Sequence, residues 1–327
     1  MAIKWGVLGT AGIARGCTIP GMKEAENCEL YAIAGRDRTK AESFKDMFGF
    51  KKAYEGYDDL LKDPEVQAVY IPLPNNLHKE WVIKAVKAGK HVLCEKPLAL
   101  NAEEEREMFA AARENNVLLM EAFAYLQSPY VSMLKNEIES GAVGEVDYIE
   151  TEFITQGYID DIRIRKETGG GAIYDLGCYC TTMLLSLVDS EPDQIMANAE
   201  FNEAGVDIFS SVLIKFKNGV RSAFTVGMIF EPEKDGRRDS LFIHGSDGTI
   251  VSGVEYNQSG KLHYTVHSKD GTVERCFEAR QNYALEIEQF GRCIESGEEP
   301  RVSDAFSIRN AELLDKILEK IDGSESR

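Results

Sequence analysis

The first third of the sequence alternates short apolar runs with segments of helical periodicity, and this alternation limits the possible fold more than any other feature. The apolar runs predict buried strands at Ile3–Leu8, Leu30–Ala34, Ala68–Ile71, His91–Cys94 and Leu118–Met120. The segments between them predict helices at Thr39–Phe48, Asp58–Lys62, Leu77–Ala88 and Ala102–Asn115. Because strands that alternate with helices run parallel, we expect a doubly wound parallel sheet with helices on both faces.

The pattern changes after residue 122. It predicts a strand at Val143–Ile154, a glycine-led helix at Gly169–Val188 and several alternating strands between residues 193 and 277, two of them joined by the KNG turn at 217–219. Two helices, Tyr283–Glu295 and Asp304–Ile321, close the chain. We therefore expect an α/β domain over residues 1–122 and an α+β domain on a largely antiparallel open sheet over residues 123–327. The last helix could pack back on the first domain.

A glycine-rich turn follows the first strand directly. Its backbone N–H groups, at the start of a helix, would bind the pyrophosphate of a dinucleotide, as in a Rossmann domain. Ala11 stands where a second glycine is usual, so the match is imperfect, but the turn has the required place between a strand and a helix. The predicted contacts are Gly9, Thr10, Ala11, Gly12 and Ile13.

The end of the second strand, Ala34-Gly35-Arg36-Asp37, bears on which dinucleotide is bound. An acidic residue at this place accepts hydrogen bonds from the ribose 2′-OH of NAD, whereas Arg36 offers a fixed cation to the 2′-phosphate of NADP. Asp37 keeps the use of NAD possible. We expect NADP as the preferred cofactor, unless Arg36 is simply a solvated residue at a strand end.

The formal net charge of −18 argues against nucleic acid or an anionic membrane as a partner. Residues 1–122 contain 17 Lys and Arg against 19 Asp and Glu, and the remaining residues contain 20 against 36. A nearly neutral first domain can accept an anionic cofactor. The acidic second domain favours a neutral substrate over a highly anionic one.

The seven cysteines are scattered, odd in number and without a CxxC pair. This pattern predicts neither a disulfide framework nor a zinc site, and we expect no metal and reduced thiols. No apolar run approaches the roughly 18 residues that cross a bilayer, and the N-terminal stretch lacks the form of a secretory signal. We therefore expect a cytoplasmic protein.

Three further motifs extend over both predicted domains: LPNNLH at 73–78, AGKHVLCEKP at 88–97 and GGGAIYDLGCY at 169–179. With the glycine-rich turn, they resemble the glucose–fructose oxidoreductase/inositol dehydrogenase (Gfo/Idh/MocA) family over essentially the whole chain. The tyrosine that ends the third motif is similar to the subgroup with dimeric dihydrodiol and D-xylose dehydrogenases, and disfavours an inositol-type activity. The resemblance implies a two-domain dehydrogenase that uses NAD or NADP on sugars, cyclitols or related diols.

The resemblance also implies roles for individual residues. Lys96 would be catalytic, at the carboxyl end of a strand, where ligands of open α/β sheets bind. The other implied cofactor contacts are Leu73, Asn75, His78, Glu95, Lys96 itself and Tyr283. Arg163, Asp175 and Tyr179 would contact the substrate. His78 could instead be a helix-start histidine that faces solvent.

Asp175 and Tyr179 are four residues apart and share one face of the predicted helix. A tyrosine, with an ordinary pKa of about 10, becomes a base at neutral pH when a cation stabilises the phenolate. We expect Tyr179 to exchange the proton of the substrate, Lys96 to lower its pKa and Asp175 to orient the substrate or the lysine. The roles of Tyr179 and Lys96 could be reversed, and a buried Asp175 and Tyr179 could merely bond each other.

These observations predict hydride transfer between NAD(P) and a neutral sugar or cyclic polyol. Dehydrogenation of a trans-dihydrodiol or of D-xylose is the alternative that the same residues support. A dinucleotide-binding regulator without chemistry is the alternative from another class. Retention of Lys96 and Tyr179 argues against the regulator, because it needs no groups for proton transfer.

The predicted C-terminal sheet has helices on one face only. Alternating apolar residues, such as Val212, Ile214 and Phe216 or their neighbours, would then face outward and pack on a partner. We expect a homodimer, or a tetramer built from dimers.

Overall fold

The computed structural model describes residues 2–231, 236–253, 256–257 and 259–322. The chain divides into two compact units. The first unit consists of Met1–Gln127 and Arg280–Arg309, and the second consists of Ser128–Ala279 and the chain from Asn310 onward. The first unit therefore includes a segment that lies far from it in the sequence.

The first unit is a parallel α/β structure. Its strands are β1 Ile3–Leu8, β2 Cys28–Gly35, β3 Lys52–Glu55, β4 Ala68–Ile71, β5 His91–Glu95 and β6 Leu119–Ala122. Its helices are α1 Ile19–Glu24, α2 Arg38–Phe48, α3 Tyr57–Leu61, α4 His78–Lys87, α5 Ala102–Glu114 and, from the distant segment, α8 Asn282–Ser296. The strand order is β3-β2-β1-β4-β5-β6, with every neighbouring pair parallel. This order confirms the predicted Rossmann domain.

Local signals position these elements. Strands β4 and β6 are buried along their whole length, as expected for a sheet covered on both faces. Helix α5 begins where the side chain of Asn101 accepts a hydrogen bond from the Glu104 N–H, the predicted helix start. Strand β3 was not predicted, because its four residues are only partly buried or exposed and form no apolar run.

The second unit is built on a mixed sheet. Its strands are β7 Val146–Gln156, β8 Pro192–Phe201, β9 Asp207–Phe216, β10 Arg221–Phe230, β11 Arg238–Gly245, β12 Gly248–Ser252, β13 Gly260–Ser268 and β14 Gly271–Ala279. The helices are α6 Pro129–Glu139, α7 Cys178–Leu187 and α9 Asp304–Asp322, whose first residues belong to the first unit. Within the described ranges, each helix is too short or too polar to cross a membrane.

The sheet order is β14-β13-β12-β11-β7-β10-β9-β8. Strands β7 and β10 are parallel, and the other neighbouring pairs are antiparallel. This confirms the predicted, largely antiparallel sheet. Helix α7 packs on β7, and the turn that precedes it packs on β10.

The prediction of which residues face outward was wrong for the three that were named. Val212, Ile214 and Phe216 are buried, with at most 2% of their surface exposed. Their neighbour Leu213 is 49% exposed, and Met196, its partner on β8, is 66% exposed. Strand β9 has apolar residues on both faces at this point, so alternation alone could not determine which face is buried.

Candidate active site

The glycine-rich turn lies at the carboxyl end of β1. Gly9 has φ +126° and donates its N–H to the carbonyl of Ala34 at 2.9 Å. A Cβ on Gly9 would lie 3.2 Å from the side chain of Leu73, whereas a Cβ on Gly12 would meet no atom within 4 Å. The helix begins at Gly12, which is exposed. The open backbone at its first turn fits the diphosphate of a dinucleotide.

Arg36 and Asp37, at the end of β2, differ in the contacts of their side chains. The Asp37 carboxylate caps helix α2, with its Oδ1 accepting from the N–H groups of Thr39 at 2.8 Å and Lys40 at 3.1 Å. Arg36 is exposed and, among the described residues, forms neither an ion pair nor a side-chain hydrogen bond. Burial raises the pKa of Tyr57, and the charge of Arg36 opposes this rise. A cation is thus available at the strand end, while the nearest carboxylate is engaged.

His78 connects the turns that follow β4 and β5. It is fully buried, with Nδ1 at 2.9 Å from the carbonyl of Pro97 and Nε2 at 2.8 Å from the carbonyl of Leu73. Burial lowers its pKa. The histidine therefore does not face solvent. A ring nitrogen could bind a cofactor only if one of these contacts were lost. It holds Asn75, in a single helical turn at Asn75–Leu77, and the Lys96 turn in register.

Lys96 is half-buried, directly after β5. On the neighbouring strand, the fully buried Glu121 accepts a hydrogen bond from the Leu98 N–H at 2.9 Å. Burial raises the pKa of Glu121 to about 7, although the Leu98 N–H and the charge of Lys96 both act to lower it. The Tyr70 hydroxyl donates to Glu95 at 2.5 Å. Glu121 was not predicted as a site residue, because its one signal in the sequence is a single carboxylate in a buried strand.

Tyr283 reaches the first unit from far along the chain. Helix α8, which contains it, packs on α1, where a Cβ on Gly21 would lie only 2.6 Å from the Tyr283 Cβ. Burial raises the pKa of the Cys17 thiol, and a hydrogen bond with the Tyr283 side chain opposes this rise. Tyr283 is thus located beside the helix that the glycine-rich turn opens.

In the second unit, the glycine run at 169–171 allows a close chain crossing. A Cβ on Gly170 would lie 2.4 Å from the Arg163 carbonyl oxygen, and one on Gly171 (φ +138°) would lie 2.2 Å from Asp207 Oδ1. Asp207 accepts a hydrogen bond from the Ile173 N–H at 2.8 Å and so caps the glycine-led helix. Burial raises the pKa of Asp207 to about 6. Asp207 is a second residue that the sequence analysis missed.

The structure joins two of the predicted substrate residues. Arg163 donates from Nε to Asp175 Oδ2 at 2.9 Å and from Nη1 to Asp161 Oδ1 at 3.1 Å. The Asp175 carboxylate raises the pKa of Arg163. The ion pair with Arg163 holds Asp175 in a fixed position.

Tyr179 lies one helical turn after Asp175 in a cluster of aromatic rings. Its ring centroid is 5.4 Å from that of Phe153 and 5.3 Å from that of Tyr256. Its hydroxyl accepts a hydrogen bond from Asn257 Nδ2 at 3.2 Å. The Tyr179 residue is 9% exposed. Phe153, Tyr256 and Asn257 carried no motif and could not be found from the sequence.

Comparison with known proteins covers both units. The GFO_IDH_MocA model, described as an oxidoreductase family with an NAD-binding Rossmann fold, matches residues 3–123. The model of the GFO/IDH/MocA C-terminal domain matches residues 131–251. Together the two matches extend over more than half of the chain.

Individual relatives are similar over nearly their full length. D-xylose 1-dehydrogenase (NADP(+)) 2 of Haloferax volcanii is 34% identical over 96% of each chain. Trans-1,2-dihydrobenzene-1,2-diol dehydrogenase of Xenopus laevis is 32% identical over 98% of each chain. Among solved structures, KijD10, a 3-ketoreductase from Actinomadura kijaniata in complex with NADP and TDP-benzene, aligns with a TM-score of 0.90, at 31% identity over 98% of each chain.

The close contact of Gly171 with Asp207 generates a stability prediction. We expect Gly171→Ala to lower the free energy of unfolding by more than about 2 kcal/mol, because it adds a clash to an unfavourable backbone angle. The control is Gly205→Ala, where φ is also positive, at +68°, but a Cβ would meet nothing within 4 Å. That variant should lose only about 1 kcal/mol. Urea unfolding measures both, and equal losses would contradict the importance of the contact.

Proposed function

The chain belongs to the GFO/IDH/MocA oxidoreductase family with its NAD-binding Rossmann fold, and from this premise we propose that it oxidises a hydroxyl group of a neutral sugar or cyclic polyol with NADP. The observation that carries the proposal lies at one edge of the Rossmann sheet. The glycine-rich turn, Arg36 and Lys96 follow β1, β2 and β5 at their carboxyl ends. Open parallel sheets bind their ligands at this edge.

The cofactor assignment rests on charge and space in the first unit. The open position at Gly12 accommodates a diphosphate, and Arg36 is available for a 2′-phosphate, whereas Asp37 is committed to helix α2. The names of the D-xylose dehydrogenase and KijD10 relatives both mention NADP. We assign dinucleotide binding to the first unit and substrate binding to the second.

The residues that we propose near the nicotinamide contribute in different ways. Leu73 packs beside Gly9, and Asn75 and Glu95 lie at the ends of strands of the same sheet edge. We propose that His78 contributes indirectly, by holding the two backbone carbonyls that its ring nitrogens contact. Tyr283 would contact the cofactor from its place beside the first helix.

The protein must supply a group that takes the proton of the substrate hydroxyl. When bound, the nicotinamide supplies the acceptor for the hydride. We propose that Tyr179 takes the hydroxyl proton as a phenolate, which the Lys96 ammonium stabilises before the transfer, and that Lys96 also binds the same substrate oxygen. Asp175, which is held in place by its ion pair with Arg163, orients the substrate by accepting a hydrogen bond from a second hydroxyl.

The substrate class follows from the relatives and from charge. The relatives are named for D-xylose, for a dihydrobenzene diol and for a dTDP-linked sugar. Residues 123–327 contain 20 Lys and Arg against 36 Asp and Glu, which favours a neutral sugar or diol over a nucleotide-linked one. Dehydrogenation of D-xylose or of a trans-dihydrodiol remains the specific alternative.

A panel of aldoses, cyclitols, trans-diols and one dTDP-linked sugar tests the function, with NADP and NAD each as cofactor. We expect reduction of NADP with at least one neutral sugar or diol. Dinucleotide binding without turnover on the whole panel would favour a regulator instead.

The cofactor preference should depend on Arg36. We expect Arg36→Ala to reduce kcat/KM for NADP roughly ten- to a hundredfold and to leave kcat/KM for NAD unchanged, because it removes a charge-assisted pair with the 2′-phosphate. The control is Arg38→Ala, an exposed arginine two residues away whose Nη2 already binds Glu42 at 2.9 Å. A wild-type enzyme that uses NAD as well as NADP would refute the assignment.

The proton transfer should depend on Tyr179 and Lys96. We expect Tyr179→Phe and Lys96→Met each to lower kcat by ~10²-fold or more, while the dissociation constant of NADP changes little. The control is Tyr148→Phe, which removes a hydroxyl that donates to Glu150 Oε2 on its own strand at 3.1 Å. Near-normal kcat in Tyr179→Phe would remove Tyr179 from the chemistry.

We also propose that the chain assembles through the outer face of its C-terminal sheet. One row across this face contains the apolar residues Val251, Phe242, Ala223, Leu213 and Met196, which are exposed or half-buried, with the exposed Glu150 of β7 between Phe242 and Ala223. Apolar residues gathered on an open sheet face are typical of an interface between identical subunits. The proposed state is a dimer or a tetramer built from dimers, and the proposed location, from the cysteine pattern, is the cytoplasm.

Sedimentation velocity at micromolar concentration tests the assembly. We expect a dimer or tetramer for the wild type and a shift toward monomer in Leu213→Lys, because a charge would be buried in the interface. The control is Val273→Lys, at a residue that is 44% exposed but pairs with the buried Val266 on the other face. A monomeric wild type would contradict the proposal.

A further inference from the structure

A polar side chain that belongs to no motif contacts the hydroxyl of Tyr179. Asn257 is half-buried, and its Nδ2 donates to the Tyr179 oxygen at 3.2 Å. Its Oδ1 is buried and accepts no hydrogen bond from a described residue. A polar atom without a hydrogen-bond partner in the interior costs about 1–3 kcal/mol. The hydrogen bond to the Tyr179 oxygen gives the Asn257 nitrogen such a partner.

The residue before Asn257 fixes its position. The Tyr256 N–H donates to Asp239 Oδ2 at 3.1 Å, and the Tyr256 hydroxyl lies 2.7 Å from Thr151 Oγ1. The Tyr256 ring stacks on Phe153, with centroids 5.1 Å apart and an interplanar angle of 16°. The hydrogen bond to Asp239 holds the backbone of Tyr256, and the stacking on Phe153 holds its ring. The amide of the next residue, Asn257, is therefore placed against Tyr179 in a defined position.

Other titratable and charged groups also lie in this cluster. Burial raises the pKa of Cys180, beside the Tyr256 hydroxyl, to about 12. Arg237, which lies over Phe153, is paired with Asp239. Asp175, one turn before Tyr179, is paired with Arg163. The thiol is neutral at neutral pH, Arg237 and Asp175 each have a partner of opposite charge, and the Asn257 amide contacts the phenolic oxygen directly.

We propose that Asn257 is a positioning residue for Tyr179, whose amide N–H holds the phenolic oxygen and stabilises it when that oxygen becomes a phenolate. The inference rests on the proposed role of Tyr179 in proton transfer. A hydrogen bond donated to the charged form of an acid favours ionisation and lowers the pKa of that acid. Asn257 also occupies one lone pair of the oxygen, so the hydroxyl proton must point in another direction.

The test is the pH dependence of kcat/KM for alcohol oxidation. The proton acceptor must be deprotonated, so the rate rises with pH through the pKa of the acceptor. In Asn257→Ala this rise should shift to higher pH by about one unit, the scale of one lost hydrogen bond to a charged group. The rate should then fall about tenfold below the pKa and recover at high pH. Asn257→Asp, which cannot donate as a carboxylate, should shift the rise at least as far.

The control is Asn218→Ala, an exposed asparagine of the same unit whose side chain accepts from the Val220 N–H in its own turn. Its pH profile should match the wild type. If Asn257→Ala does not fold, Asn257→Ser replaces it. An Asn257 variant that loses rate equally at every pH, or keeps the wild-type profile, overturns the inference.

Tyr179→Phe distinguishes the two possible failures. If Tyr179→Phe is inactive and the Asn257 variants have an unshifted profile, the role of Asn257 is wrong and the proposed function stands. If Tyr179→Phe retains the rate and the pH profile of the wild type, the proposed role of Tyr179 fails, and the inference on Asn257 fails with it.

Discussion

The contacts of the two His78 ring nitrogens with backbone carbonyls set the geometry on which the rest of the first unit depends. One ring nitrogen binds the carbonyl of Leu73, after β4, and the other binds the carbonyl of Pro97, after β5. Leu73 in turn packs against the Gly9 turn, after β1. A parallel sheet brings the ends of its strands to one edge, but it does not fix the turns that follow them. The buried imidazole does so, and it thereby fixes the place of Lys96.

In the second unit, a buried carboxylate fixes the position of a turn near the proposed site. Asp207, on β9, binds the N-terminus of the glycine-led helix, and the glycines let the chain of Arg163 pass within contact distance. As a result, Arg163 reaches Asp175 and forms an ion pair with it. In both units a buried polar residue that takes no part in the proposed chemistry orients one that does. Such supporting contacts are what a preformed active site requires.

The sequence allowed the Rossmann domain, the antiparallel sheet and the helix positions to be predicted, because their signals are local and periodic. It also identified Arg163 and Asp175, which the structure joins. It did not reveal β3, which is too short and polar, or helix α6, although Ser128 caps its start. The buried face of β9 was wrongly assigned around Val212, because both faces carry apolar residues there.

Contacts between distant segments account for the functional residues that were missed. Asp207, Glu121 and Asn257 each act on a segment that lies 23 to 78 residues away in the chain, so no spacing rule could find them. His78 was predicted as a cofactor contact or as a solvent-facing histidine, whereas in the structure it is buried and its two ring nitrogens contact backbone carbonyls. Such a role depends on the tertiary structure alone.

The transfer of a hydride from a substrate carbon to a nicotinamide is the central proposal for this chain. The most direct measurement uses an active sugar or diol that carries deuterium on the carbon to be oxidised, with the reduced cofactor analysed by mass spectrometry and NMR. We expect one deuterium at C4 of the nicotinamide in every NADPH formed. Reduced cofactor without deuterium would contradict direct hydride transfer from that carbon.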